Sequence, residues 1–354
     1  MRGMSYEAGR AALSPEVAVI PATASDNTQL SARQVQNAIQ YNLRGHAINM
    51  LVQIRNFLIK NGWLSPSAAD KGERVNQEPT SIVNADFVQA VAAYQAFKKQ
   101  ANPDGKLGAR TFQLFQEQGL GYSLQGGAHA PNRTVIPKDA PDDQVYDYFR
   151  GVILSQGGIF MERPGHVNVV GIRGGQLSRA GGIRHVPNTF NQWNDTLVVL
   201  SVDAQGNKSV DRYEGTTDPG VARNGVATFP EGTHTMELGY HAPRSGSYTA
   251  LNPRHNGQVP VFRRNQGFHL GAGARGGQWL NVHTTHGYNR GALPGPGGYS
   301  EGCAVINGND QYQHFIGDMK TATNRHGQRN IFFTLLSAGR LGTLEIDSQE
   351  NRNN

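Results

Sequence analysis

The chain has one cysteine, Cys303, among 354 residues, so no disulfide can form within it and its fold does not depend on an oxidising compartment. It also lacks any apolar run near the roughly 18 residues that a membrane-spanning helix needs. The N-terminal stretch MRGMSYEAGRAALSPEVAVIPATAS breaks its short apolar patches with Glu7, Arg10, Glu16 and Pro21, so no Sec-type signal and no membrane insertion are expected. There is no block of Lys and Arg with interleaved aromatics, which argues against nucleic acid as a partner. The 33 basic and 27 acidic residues are instead scattered, and their net charge of +6 suits an acidic polymer of another kind. With 37% hydrophobic residues, a chain of this length can bury a full core and is expected to form two domains.

Residues 1–27, rich in Ala, Ser and Pro without a sustained period, read as an irregular arm. From Thr28 the pattern is helical. Leu30, Val35, Ala38 and Ile39 lead into Ile48, Leu51, Val52, Ile54, Phe57 and Leu58, which recur near helical spacing until Gly62. Asp86 is placed to cap FVQAVAAYQAFKKQ, whose Phe87, Val91, Tyr94 and Phe97 share a face. PDGKLG makes a tight turn with Gly105 free to take positive φ, and a last short helix runs from about Thr111 to Leu120. Residues 121–143 are Gly/Pro/polar and read as a linker.

After a short helix at 144–155 the period changes to two. HVNVVGIRG, DTLVVLSVD, KSVDRYEGTT, HTMELGYHA, QVPVFRR and WLNVHTTHG read as strands between Gly-rich turns, with a hairpin turn at 203–207. A helix near 311–322, a strand near 330–336 and a polar tail, 342–354, close the chain. The expected fold class is α+β and multidomain. A helical domain, 28–120, precedes a mostly antiparallel β domain, 144–341.

A thiol at its ordinary pKa is only a few per cent thiolate at neutral pH, so a catalytic cysteine needs a partner that takes its proton. His283 follows the apolar run WLNV, and the Gly/Pro-rich loop 287–298 can fold the chain back to bring Cys303 alongside. A metal site from His283, His286 and Cys303 suits no familiar ligand spacing, and no cofactor or metal is expected. GAGARG at 271–276 matches a dinucleotide-binding pattern but precedes a strand and opens no helix, so that reading fails.

Residues 47–120 resemble the small three-helix peptidoglycan-binding domain, through LVQIRNFLIKNGWL, AVAAYQAFKKQ and DGKLGARTFQLF. The insertion 65–84 is longer than usual there and lies where ligand contacts would be made. His283, sixteen residues, and then Ser300-Glu301-Gly302-Cys303 resemble the signature of YkuD-type L,D-transpeptidases; His286 falls short of that spacing. DTLVVLSVDAQGNKSVDRYEGTTDPG and FPEGTHTMELG extend the resemblance upstream, to about residues 166–338.

The resemblance implies that Cys303 is the nucleophile and His283 its general base. The Gly302 and Cys303 N–H groups are then candidate oxyanion donors, Ser300 shapes the loop, and Thr284 orients the base through its carbonyl. Glu301 stands where the family has histidine, and Ala304-Val305-Ile306 lacks the family's downstream arginine, so Arg254, Arg263, Arg264 and Arg290 are candidates for carboxylate recognition.

The implied activity is L,D-transpeptidation or L,D-carboxypeptidation of peptidoglycan stem peptides, in the periplasm or wall. With no export signal read, the implied route is a secretion or contractile injection apparatus carrying an antibacterial effector with a cognate immunity protein, or a phage-encoded wall-modifying protein. Two other classes are open. A sortase also runs His before Cys, but its Thr-Leu-x-Thr-Cys motif is absent. A non-catalytic wall-binding or particle-associated structural protein would keep the same folds without a reactive thiol.

Overall fold

A computed structural model of the chain describes residues 28–122, 130–220, 224–241, 248–253, 259–263, 267–269, 280–284, 300 and 302–346. The arm expected at 1–27 and residues 347–354 of the expected tail lie outside the described residues. The first half is helical: α1 (Ala32–Gly45), α2 (Ile48–Lys60), α3 (Pro79–Ile82), α4 (Ala85–Phe97) and α5 (Ala109–Gln116). Ser31 opens α1 with a reciprocal capping box to Gln34. Asn84, rather than the expected Asp86, caps α4, accepting the Phe87 N–H at 2.9 Å. Asp86 sits within the first turn, where its charge favours the positive end of the helix. Likewise α5 starts at Ala109, two residues before Thr111.

The turn between α4 and α5 requires its glycine. Gly105 has φ +71°, and a Cβ there would lie 2.5 Å from Val88 Cγ1 and 2.7 Å from the Val88 carbonyl oxygen. Buried Gln95 fixes the turn, its Oε1 accepting the N–H groups of Asp104 and Gly105 at 2.9 and 2.8 Å.

The second half contributes β1 (Thr134–Ile136), α6 (Asp142–Ser155), β2 (Val167–Arg173), β3 (Gly175–Leu177), β4 (Ile183–His185), β5 (Asp195–Val202), β6 (Lys208–Thr216), β7 (Ala227–Thr228) and β8 (Gly232–His241). There follow β9 (Tyr248–Pro253), β10 (Val261–Arg263), β11 (Gly267–His269), β12 (Val282–Thr284), β13 (Ala304–Ile306), α7 (Asn309–Asn324) and β14 (Ile331–Ser337). Eight strands close a barrel in the order β12, β13, β6, β5, β2, β14, β8, β9. The pairing is mostly antiparallel, but β14 runs parallel to β2 and β12 parallel to β13. The chain is thus an α+β protein with a large mixed sheet.

One face of the sheet packs Val169, Leu197, Tyr213 and Phe333 against Tyr312, Phe315, Ile316 and Met319 of α7. The other face packs Val170, Val198, Leu200 and Val210 against Val145, Phe149 and Ile153 of α6. This two-sided burial explains the near-continuous apolar runs of β2 and β5.

Two expected irregular segments are structured. Residues 134–136 of the expected linker 121–143 form β1, paired with β4, because Val135 and Ile136 are fully buried beneath it. The first residues of the expected tail 342–354 dock onto β1: the Leu344 N–H donates to the Val135 carbonyl and the Thr343 hydroxyl to that of Thr134.

The insertion 65–84 faces the barrel half. Asp70 pairs with Arg55, which is 1% exposed, and Ser67 joins them. Further along, the Asn76 N–H donates to the Phe160 carbonyl, Asn76 Oδ1 accepts the Glu162 N–H, and Glu73 pairs with Arg150. Ile159, Met161 and Phe332 complete the apolar core of α1, α2 and α4. The helical unit is therefore packed directly on the barrel.

Candidate active site

The sequence WLNV leads into β12 because Leu280 and Val282 point into the barrel core, leaving Asn281 and His283 on the opposite side. Ala304 and Ile306 of β13 also face the core. Val282 pairs with Ala304 and His283 with Val305, in parallel register. Alternation then places Cys303 and Val305 on the same side as Asn281 and His283. The register continues one residue upstream, where the Ala304 N–H donates to the Asn281 carbonyl at 3.0 Å.

The Thr284 carbonyl, which can only accept, lies 2.8 Å from His283 Nδ1. Nδ1 therefore carries the proton, and Nε2 presents a lone pair. The Tyr248 hydroxyl lies 3.2 Å from the same Nδ1 and donates to the Thr284 carbonyl at 3.3 Å. His241 stacks on the imidazole with ring centroids 4.5 Å apart, and its own Nδ1 is held by Asn281 Nδ2 at 2.9 Å. Burial, reinforced by neighbouring His241 and opposed by the hydrogen bond to Thr284, lowers the His283 pKa to about 3. The ring is neutral at pH 7.

Cys303 is 8% exposed. Gly302, just before it, has φ +138°, and a Cβ there would lie 2.4 Å from the Ala227 carbonyl oxygen. Ser300 ties the loop on itself, its hydroxyl donating to the Cys303 carbonyl at 2.8 Å and accepting the Gly302 N–H at 3.1 Å. The Gly302 N–H is thus engaged, and to serve as an oxyanion donor it must release Ser300. The Ser300 carbonyl accepts the Gly220 N–H at 2.9 Å. The segment leading to Gly220 is braced by Arg173, 3% exposed, which pairs with Asp218 at 3.2 Å and donates to the carbonyls of Thr217 and Phe229.

Among the arginines expected to bind carboxylate, Arg263 donates to the Gly225 carbonyl at 2.6 Å. Arg254, Arg264 and Arg290 lie outside the described residues, as do His286 and Glu301. Tyr248, His241, Asn281 and Arg173 were not singled out from the sequence. Their places depend on barrel closure, and only the Tyr-His-rich ends of the two strands hinted at them.

No family model, curated protein or solved structure matches the chain. Among the described residues no helix is long and apolar enough to cross a membrane.

Proposed function

We propose that the protein is a cysteine-dependent acyltransferase or hydrolase of peptidoglycan stem peptides, of the L,D-transpeptidase type. What supports this most is the parallel pair β12 and β13, which sets Cys303 and His283 on one side of two adjacent strands, with the lone pair of the buried imidazole on Nε2. A neutral imidazole holds no resting ion pair with the thiol; its lone pair can take the thiol proton only as Sγ attacks, and the lowered pKa makes it a weak base until a bound substrate changes its surroundings. Sγ bonds to the carbonyl carbon of the third stem residue. The bond to the terminal D-alanine breaks, and its amine leaves with the proton that His283 accepted. An amine or water then attacks the thioester, giving the transpeptidase or carboxypeptidase outcome.

In this reading the helical unit, packed on the barrel, would hold the polymer in fixed register rather than as a loose tether. The site of action in this reading is the periplasm or wall, where the stem peptides lie.

D-alanine release from purified sacculi tests the activity. Cys303→Ala and His283→Ala should each abolish nearly all of it, while His286→Ala should retain most. Full activity without Cys303, or an essential His286 beside a dispensable His283, would overturn the assignment.

A further inference from the structure

We infer that Asp211, His314 and Asp318 form a site for one divalent transition-metal ion, separate from the cysteine site. His314 and Asp318 are four residues apart on α7 and so share a face. Asp211 reaches them from β6, two residues before Tyr213 and on the same side of that strand. One ligand atom from each of the three lies within 4.8 Å of the other two, a spread that a single ion can bridge.

Tyr213 orients the set. Its hydroxyl lies 2.8 Å from His314 Nδ1 and 3.3 Å from Asp318 Oδ2. With Nδ1 occupied, Nε2 is the imidazole atom left to bind metal, and a hydrogen bond at the second ring nitrogen is the usual way a protein fixes a ligating histidine.

The charge balance points the same way. Asp142 and Asp147, beside the opposite face of β6, are paired with Arg212 and Lys208. Asp211 and Asp318 have no Lys or Arg partner among the described residues, although the chain carries a net charge of +6. Two carboxylates held together without a cation repel each other, and a divalent ion removes that repulsion.

A second observation supplies room for a ligand. Asp318 lines a cavity of about 320 Å³ together with Ser201, Ser209, Lys208 and His326, so a bound ion has space beside it for water or an exogenous group. The donor set of one imidazole and two carboxylates suits Zn²⁺ or Mn²⁺ rather than a soft thiolate-seeking ion. Asp211 lies five residues along β6 from Thr216, the partner of Val305, a separation of roughly 17 Å at the rise of a strand. The ion therefore takes no part in the chemistry of Cys303; it clamps α7, the helix that follows the cysteine strand, onto β6.

The test is a calorimetric titration of the full, tag-free chain, stripped with chelator, against Zn²⁺. It is run in a Cys303→Ala background so that the cysteine site cannot contribute. One equivalent should bind, and the melting temperature should rise with Zn²⁺ and fall again with chelator. His314→Ala and the near-isosteric Asp211→Asn should each weaken binding at least tenfold, and Tyr213→Phe about tenfold, as loss of a supporting hydrogen bond does. His326→Ala, which changes the cavity and not the ligands, should leave binding intact. Absence of stoichiometric binding by the parent chain, or unchanged affinity in folded Asp211→Asn, would overturn the site.

Discussion

Lowering the pH from 7.5 to 5.0 should destabilise the fold by several kcal/mol, and His283 should account for a calculable share. Three buried histidines carry the largest shifts and are held neutral: His283 with its pKa lowered to about 3, and His46 and His234 each lowered to about 4, all chiefly by burial, which also lowers His166 and His241 and so adds in the same sense. Their unfolded values are near 6.5. Above that pH neither state is charged and the groups contribute no pH dependence. As the pH falls below 6.5 the unfolded chain takes up protons that the folded chain refuses until about 4 or 3, so stability is lost across that window.

At pH 5 each histidine costs about 2 kcal/mol, because the medium is then about 1.5 pH units below the unfolded pKa at 1.36 kcal/mol per unit. The three together cost about 6 kcal/mol on this arithmetic. Asp195 acts in the opposite sense: burial and neighbouring Asp218 raise its pKa, so the folded state binds a proton first and recovers part of the loss as pH falls. The net effect is comparable to the whole stability of an ordinary domain. Thermal melts at the two pH values should show a drop of about 5–10 °C, because unfolding a chain of this length carries a large entropy. His283→Gln should shrink that drop by about a third. Equal melting temperatures at pH 5.0 and 7.5, or a His283→Gln variant with the full drop, would refute the claim that the imidazole is buried and neutral.

Gly302→Ala should cost about 2–4 kcal/mol, because its backbone is at positive φ and the new Cβ meets the fixed Ala227 carbonyl. A melting temperature within a degree of the parent would show the loop to be free to shift. Asp70→Asn should cost about 3–5 kcal/mol by leaving the Arg55 guanidinium buried without a counter-charge, and urea titration would measure it. A loss under 1 kcal/mol would mean that Arg55 finds water when Asp70 is neutralised.

The helices were legible because their apolar residues recur at helical spacing: on α4 Phe87, Val91 and Tyr94 are buried as that spacing implies, although Phe97 of the same expected face is 45% exposed and Val88, Ala90 and Ala92 are buried as well. The long strands β2 and β5 were legible for a related reason, being apolar runs bounded by turn residues. Short strands were not. The three residues of β13 carry too little pattern, and their parallel pairing with β12 is made across a Gly/Pro-rich loop that leaves no periodic trace.

Likewise the polar residues Glu73, Asn76 and Glu78 belong to the insertion expected where ligand contacts would be made, yet each bonds across to the barrel half. Polarity shows that a side chain needs a partner, not whether that partner is water. At the site, spacing singled out His283 and Cys303 because both belong to one local run of sequence. Tyr248 and His241 come from neighbouring strands and acquire their roles only when the barrel closes.

The most direct measurement is the intact mass of the protein after brief incubation with a soluble tetrapeptide stem and an acid quench. The expected result is an adduct equal to the tetrapeptide minus D-alanine, mapped to Cys303, lost in Cys303→Ala and slow to form in His283→Ala. An unmodified Cys303 in a folded protein, at substrate concentrations that saturate D-alanine release, would contradict it.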